Sequence, residues 1–256
     1  MIQTYSKFYY GHTVDETNYF LDFQENADPA IVAQIDIGQY TLTDFVDAVA
    51  RAMNLVGTQE YTVSVNRTTR IITVTAASGT FELLPSTGVN ASNSIFGLLG
   101  FESDTGSGTS HVGTLASGSE WIPQFKAQDF VDFEDQQKAV DGVTRQSTNG
   151  KVESVRFGTT KTMDARFTFI TDIIQNNGLI TSDSSGVLNA RTFLEYATTK
   201  ADLEFIPNKD DPDTFTECVL ESTSSDSSGI GFKLEEMYSK GLVGYYDTGI
   251  LKFRKL

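Results

Sequence analysis

The sequence predicts an α+β fold that is mostly β, with a β-sandwich or barrel-like body and a compact helix-plus-hairpin module in its N-terminal half. Three observations support this class. The 256 residues include 18 Phe and 10 Tyr against one Trp, and such aromatic residues favour sheets. Several short runs alternate apolar and polar positions, which is the period of a half-buried strand. One segment has the apolar spacing of an amphipathic helix instead.

The clearest local patterns lie near the middle of the N-terminal half. Apolar residues alternate in residues 31–37, which predicts a half-buried strand. Thr41 or Thr43 can cap the helix that follows, and Gly57 closes it. The apolar positions of this helix recur at helical spacing, at Leu42, Phe45, Val49 and Met53.

A hairpin is predicted directly after this helix. Residues 61–65 and 71–75 are rich in β-branched side chains, and a polar turn joins them. Residues 81–84 offer a third apolar edge. A single helical turn is expected after residues 92–94, with Gly100 in the left-handed position at its end.

The second half of the chain gives weaker signals. Residues 102–120 are rich in Gly, Ser and Thr and predict a loop or linker, while residues 129–141 are acidic and poorly periodic. A helix is expected over 191–200, with Phe193, Leu194 and Ala197 facing inward. Strands are expected at 152–157, 166–171, 203–206, 215–220, 232–237 and 250–253, and Asn149-Gly150 is a turn signal before the first of them.

These patterns divide the chain into three parts. Residues 1–29 should form strands that pair with the C-terminal body, because aromatic strands flank the module on both sides. Residues 30–118 form the helix-plus-hairpin module, as an insertion or as a sequential domain. Residues 119–256 form the β-rich body, with one helix near 190–200.

Composition excludes several classes of protein. The net charge is −15, from 34 acidic and 19 basic residues, and such a surface repels nucleic-acid phosphates and anionic membranes. This charge fits either simple solubility or a surface that lets DNA pass without binding it. The lone Cys218 excludes an intrachain disulfide framework and a cysteine-rich zinc site. No apolar run approaches the roughly 20 residues that span a bilayer, and the start has no hydrophobic signal core, so no export is expected.

The candidate chemical groups are few. His12 and His111 each lie beside a glycine in expected surface loops, and neither has a nucleophile motif nearby. Gly106-Ser107-Gly108 begins like a phosphate-binding loop but lacks the rest of that motif. Arg67 and Arg70 form a cationic pair at the hairpin tip, where a solvated turn is preferred over contact with an acidic neighbour.

Carboxylates and tyrosines supply the remaining candidates. A Ca²⁺ site at Asp210, Asp211 and Asp213 lacks the EF-hand spacing, so a solvated turn is preferred. A glycosidase pair would depend on the spatial separation of its carboxylates, and the sequence offers four acidic residues for it. Sheet contacts are preferred over sugar stacking for three tyrosines. The four acidic residues are Asp129, Asp132, Glu134 and Asp135, and the three tyrosines are Tyr238, Tyr245 and Tyr246. We therefore predict no catalytic, cofactor-binding or metal-binding residue, and no enzymatic activity.

One ordered series of segments resembles a module met in virion proteins of tailed bacteriophages and other viruses, and it covers roughly residues 30–115. The ending of the chain is similar, less specifically, to phage tail and baseplate subunits. The first series runs through Gly38-Gln39-Tyr40-Thr41, the helix, residues 61–65, Arg67-Thr68-Thr69-Arg70, residues 71–74, residues 81–84 and Leu99-Gly100-Phe101; the second comprises residues 203–207, 220–222 and 248–254.

The resemblance implies a virion structural protein with no cofactor, which acts through symmetric self-assembly. The favoured position is a ring-forming distal tail or baseplate subunit that links the tube to the adsorption apparatus, in a virion assembled in the host cytoplasm. Its partners would be its own copies and neighbouring tail or baseplate proteins, without membrane or specific nucleic-acid binding. The long hairpin of tube-forming subunits is not identifiable in the sequence.

Three alternatives stay open at this point. The chain could be a receptor-binding or fibre-attachment module, although no carbohydrate-binding motif marks it. It could be a head decoration or head–tail joining protein, because the module recurs at several virion positions. A carbohydrate-active enzyme would require two carboxylates that face one cleft.

Overall fold

The computed structural model describes residues 6–121, 131–146, 152–167, 187–188, 190–199, 202–223, 235–236 and 246–256. Only the backbone is described for residues 131–146, 152–160, 187–188, 222–223 and 235–236. Within these ranges strands predominate and three helices lie among them, so the predicted mostly β α+β class is confirmed.

The elements follow one another in three groups. The first group is β1 (Lys7–Tyr10), β2 (His12–Val14), β3 (Phe20–Glu25), β4 (Ile31–Gln34), β5 (Gly38–Tyr40), α1 (Leu42–Val56), β6 (Tyr61–Asn66), β7 (Ile71–Ala76), β8 (Phe81–Leu83), α2 (Phe96–Leu99) and β9 (Ser110–Val112). The second is β10 (Glu120–Trp121), β11 (Val131–Gln146) and β12 (Val152–Phe167). The third is β13 (Val187–Leu188), α3 (Ala190–Ala197), β14 (Leu203–Ile206), β15 (Thr216–Thr223), β16 (Glu235–Glu236), β17 (Tyr246–Asp247) and β18 (Ile250–Lys255).

Residues 12–118 pack around helix α1, and we call them the central unit. Three small antiparallel sheets surround the helix, in the orders β4–β3–β8, β6–β7–β9 and β2–β5. The apolar face of α1 is buried in their common core together with Leu21 and Phe81. The Thr41 hydroxyl accepts a hydrogen bond from the Asp44 amide at 3.1 Å, and Gly57 follows the last helical residue, so the predicted cap and end are confirmed.

The remaining strands form the body, for which the sequence predicts a sandwich or barrel-like form. The body is organised on one eight-stranded sheet in the order β11–β12–β18–β15–β14–β1–β10–β13. Helix α3 packs on one face of this sheet, and its Phe193 contacts both Trp121 and Phe8, with ring centroids 4.3 and 4.7 Å away. The inward positions predicted for this helix are all buried.

The central unit occupies the chain between two strands that are neighbours in the body sheet. Strands β1 and β10 are antiparallel, with Phe8 opposite Trp121 and Tyr9 opposite Glu120. The chain therefore leaves the body at Gly11 and returns to it beside the strand that it left.

The strands of residues 1–29 divide between the two parts, which corrects the expectation that they all join the body. Strand β1 pairs with β14 and β10 of the body, whereas β2 and β3 pair within the central unit. The physical reason lies in β3, because its Leu21 and Phe23 are fully buried against the core of α1.

The loop predicted over residues 102–120 contains a strand, which is a second correction. Strand β9 pairs with β7, with His111 opposite Val74. Its residues are largely exposed, so the backbone hydrogen bonds form without the apolar alternation by which strands are detected in a sequence.

Candidate assembly site

A long hairpin formed by β11 and β12 dominates one edge of the body sheet. Each strand has 16 residues, and they pair antiparallel from Val131 opposite Phe167 to Gln146 opposite Val152. At about 3.3 Å per residue the hairpin is roughly 50 Å long. No such hairpin is identifiable from the sequence, so this expectation is corrected. The turn signal Asn149-Gly150 lies between the two strands and is the signal that could have indicated it.

Only the base of this hairpin belongs to the sheet. Strand β18 pairs with β12 from Thr162 opposite Arg254 to Arg166 opposite Ile250. Beyond that point residues 152–161, together with the outer edge of β11, pair with no other described strand. We call residues 137–146 and 152–161 the projecting ribbon, and it extends about 30 Å past β18.

The constant register assigns residues to the two faces of the ribbon. Met163, Ala165 and Phe167 are buried in the body core, and they define the core face at the base. Because alternate residues share a face, Phe157 and Val155 lie on the same face farther out, with Val143 opposite Val155. Charged residues lie between these apolar positions on the same face. A two-stranded ribbon is marginally stable alone in water, so pairing with a further strand would stabilise it.

The hairpin tip of the central unit meets the body through Arg67. Its guanidinium pairs with the Glu204 carboxylate, donates from Nε to the Pro212 carbonyl at 2.8 Å, and lies 3.9 Å from the Phe215 ring centroid. The Tyr9 hydroxyl donates to the Arg67 carbonyl. The expected solvated turn is therefore wrong for this residue, because the tip is inserted against β14.

Arg70 is likewise buried at this junction, which corrects the same expectation. Its Nη1 donates to the Gly118 carbonyl at 2.7 Å, and its Nη2 lies 3.8 Å from the Glu120 carboxylate. Lys7 shares that carboxylate at 3.3 Å. Burial lowers the pKa of Lys7, and the neighbouring Glu120 opposes this change.

Body carboxylates also surround the N-terminus of α1. Glu204, only 1% exposed, accepts a hydrogen bond from the Thr43 amide at 3.2 Å, and Glu217 accepts one from the Thr41 hydroxyl at 3.1 Å. A helix N-terminus carries partial positive charge, so the buried Glu204 carboxylate stabilises the position of α1 against the body. Burial, with Asp44 nearby, raises the pKa of Asp202 and of Glu217.

The two histidines hold structural positions. His12 is buried against Phe45 rather than in a surface loop, and its Nε2 lies 3.2 Å from the Ser117 hydroxyl. That hydroxyl already donates to the Leu98 carbonyl at 2.6 Å, so it accepts from the imidazole and is not activated as a nucleophile. His111 Nε2 lies 2.8 Å from the Phe81 carbonyl, which only accepts, so this nitrogen carries a proton.

The acidic candidates are placed as follows. Asp210 accepts from Lys209 at 2.7 Å and Asp211 accepts from Thr214 at 2.9 Å, in a local turn. Asp132 and Glu134 lie on one face of β11 and Asp135 on the other, while Asp129 lies outside the described residues. In the part of the chain that the structure describes, no group of three or more His, Cys, Asp or Glu residues is arranged to hold a metal ion.

The other candidates carry no binding geometry. Gly108 forms backbone hydrogen bonds with Phe81, and Tyr246 packs half-buried against the body core; Tyr238 and Tyr245 lie outside the described residues. Burial raises the pKa of the Cys218 thiol to about 12. A surface groove of about 100 Å³ lies between Asp36, Arg51 and Leu55, well below the roughly 300 Å³ of small-molecule pockets.

No protein-family model matches the chain, and no curated protein matches it significantly. Among the helices that the structure describes, none is both long enough and apolar enough to cross a membrane.

Proposed function

We propose that this chain is a non-enzymatic structural subunit of a phage tail or baseplate, which forms a ring at the distal tail and links the tube to the adsorption apparatus. The observation that carries the proposal is the projecting ribbon. It extends about 30 Å past β18, and within the described residues no other strand pairs with either of its edges, which we therefore call its free edges.

Two different free edges favour a ring over a two-fold dimer. A two-fold contact would join β11 to β11 and leave the free edge of β12 unpaired. A head-to-tail contact of β11 with β12 of the next copy uses both edges of every subunit, and such heterologous contacts close into rings. The ribbons would then line the central opening.

The junction between the central unit and the body suits a rigid building block. The chain crosses between them at adjacent strands, and the ion pairs of Arg67 with Glu204 and of Arg70 with Glu120 are largely buried. Charged groups held in this way fix one relative orientation, because any other would leave a buried charge unpaired. A subunit that repeats around a symmetry axis benefits from such a fixed shape.

The net negative charge is concentrated away from the ribbon. Residues 12–118 contain twelve acidic and three basic residues, and two of the three bases are Arg67 and Arg70 at the junction. The projecting ribbon contains two acidic and four basic residues. In a ring lined by ribbons the opening therefore carries a small positive charge per subunit, and most of the net negative charge belongs to the central units.

Mass photometry and negative-stain imaging test the proposal on two proteins. The first is the wild type, for which we expect closed rings with an opening wide enough for duplex DNA. The second has residues 140–158 replaced by an Asn-Gly turn, which removes most of the projecting ribbon and leaves the sheet intact. We expect this variant to be a folded monomer.

A surface variant provides the control. Val89 is 85% exposed in the central unit, so Val89→Ser should form rings like the wild type. A wild type that stays monomeric at every concentration would contradict the proposal. A trimer would favour a receptor-binding or fibre-attachment protein, and rings that survive removal of the ribbon would show that another surface assembles them.

A further inference from the structure

We infer that residues 131–140 of β11 pair antiparallel with residues 152–161 of β12 in the next copy, with odd-numbered residues opposite odd-numbered ones. This inference rests on the proposed assembly into a ring and specifies the contact that builds it. The partner is therefore a second copy of this chain, and the surface consists of two strand edges.

The free edges determine which residues can meet. On β12 the free edge ends at Lys161, which is exposed, because the next residue, Thr162, already lies opposite Arg254 of β18. On β11 no strand among the described residues pairs with the outer edge from Val131 onward, since β11 lies last in the sheet order. A neighbouring β11 placed beside residues 152–161 therefore begins where β18 ends, and it continues the sheet across the subunit boundary.

The faces of the sheet determine the register. Residues directly opposite each other share a face, and within the hairpin Val131 lies opposite Phe167, whose face is buried in the core. Every copy in a ring must turn its core face the same way. Odd-numbered residues of one copy must therefore oppose odd-numbered residues of the next, for example Val131 opposite Lys161. A slip by one residue would invert the neighbouring subunit.

Charge favours this pairing over the two-fold alternative. Residues 131–140 contain three acidic and one basic residue, whereas residues 152–161 contain two basic and one acidic residue. Pairing of β11 with another β11 would bring two acidic edges together, which is unfavourable. In the inferred register Glu134 and Arg156 are diagonal neighbours on one face, and opposite charges at that spacing attract.

Disulfide cross-linking tests the register directly. The inferred pairing places Asp132 opposite Thr160, so a mixture of Asp132→Cys and Thr160→Cys chains should form covalent dimers under mild oxidation. The matched control mixes Asp132→Cys with Lys161→Cys, where the two positions face opposite sides of the sheet. Within one chain Asp132 lies opposite Arg166, which is six positions along β12 from Thr160. Positions 132 and 160 of the same chain are therefore about 20 Å apart, so a disulfide between them can form only between two copies.

The outcomes separate this inference from the proposed function. Equal linking in the control, or dimers of Asp132→Cys alone, would overturn the inferred register. Closed rings without the Asp132–Thr160 link would overturn the inference and leave the function standing. Linked chains that form only open filaments would support the inference and contradict the ring.

Charge reversal gives a second readout. Arg156→Glu should raise the concentration needed for assembly several-fold, and adding Glu134→Arg should restore it. Lys252→Glu, on β18 and away from both edges, is the control and should leave assembly unchanged. An Arg156→Glu protein that assembles like this control would overturn the charge argument.

Discussion

The guanidinium of Arg67 and the carboxylate of Glu204 form an ion pair between residues 137 positions apart in the chain. Glu204 is almost fully buried, and the same carboxylate also accepts a hydrogen bond from the first turn of α1. One acidic side chain of the body thus contacts both the hairpin tip and the main helix of the central unit. We regard this pair as the main polar contact that orients the two parts.

Removing the cation should destabilise the protein strongly. Arg67→Ala leaves Glu204 buried without its partner, and breaking such a pair costs about 3 kcal/mol or more. Arg67→Lys keeps the charge but loses the planar group that lies over Phe215 and the bond to Pro212, so an intermediate loss is expected. Urea unfolding curves measure both losses.

An exposed arginine of the same unit supplies the comparison. Arg51 lies on the outer side of α1, and Arg51→Ala should change the free energy of unfolding by no more than about 0.5 kcal/mol. Equal stabilities for Arg67→Ala and Arg51→Ala would show that the junction does not depend on the ion pair.

The crossing between the body and the central unit requires glycine at position 11. A Cβ atom on Gly11 would lie 2.8 Å from the Asp202 carbonyl oxygen and closer still to that of Tyr40. Gly11→Ala should therefore cost about 1–3 kcal/mol, because backbone atoms on both sides must move. Thermal unfolding monitored by circular dichroism measures the change.

Gly97 offers a matched control within α2. Apart from the neighbouring residues and the backbone of the helix itself, no heavy atom lies within 4 Å of a Cβ built at this position, so Gly97→Ala should be neutral or slightly stabilising. If the two alanine variants were equally stable, close approach at Gly11 would not limit the crossing.

The central unit was predictable from sequence because its local signals agree with its tertiary structure. Thr41 caps α1 in a pattern readable from the chain, and Gly100 adopts the left-handed conformation, with φ of 80°. In both cases the backbone conformation at the end of a helix depends on residues that are close together in the chain. The burial of Arg67 and Arg70 could not be predicted from local sequence, since their partners Glu204 and Glu120 are distant in the chain.

The hairpin of β11 and β12 escaped prediction for a different reason. Residues 131–146 lack the sustained apolar alternation by which strands are detected in a sequence, and within the described residues only β12 pairs with them. Its backbone pairing with β12 supplies the structure instead. The segment most relevant to assembly is therefore the one in which hydrophobic periodicity is weakest.

Acid should weaken the fold through His12. Burial lowers the pKa of His12 to about 4, from 6.5 for the free side chain. The unfolded chain then binds a proton more readily than the folded one, so this residue's contribution to stability falls as pH drops from about 6.5 towards 4. The loss at the low end is roughly 3 kcal/mol, and chemical unfolding at a series of pH values measures it.

Glutamine at this position isolates the effect. The amide of His12→Gln can still donate to the Ser117 hydroxyl but does not titrate, so the variant should lose less stability across the same range. A His12→Gln curve parallel to that of the wild type would contradict the buried neutral imidazole.

Glu217 should have the opposite dependence on pH. Burial raises the pKa of its carboxyl, the Thr41 hydroxyl that bonds to it acts in the opposite direction, and the nearby Asp44 raises it further. The folded chain therefore binds this proton more readily than the unfolded one, and stability falls as pH rises through the raised pKa. Glu217→Gln keeps an oxygen acceptor for Thr41 without the charge. We expect its Tm to exceed that of the wild type by up to a few degrees at neutral pH, with the difference vanishing in acid.

Glu221, on the same strand, distinguishes this effect from a general loss of negative charge. It pairs with Arg254 at 2.5 Å on a largely exposed surface, so Glu221→Gln should leave Tm unchanged or slightly lower. Differential scanning calorimetry of both variants at neutral and acidic pH measures the contrast. A similar gain in both would mean that net charge, rather than the carboxylates gathered at the N-terminus of α1, limits stability. A gain confined to Glu217→Gln would show that the charge of the Glu217 carboxylate lowers the stability of the fold, and that this loss grows as pH rises.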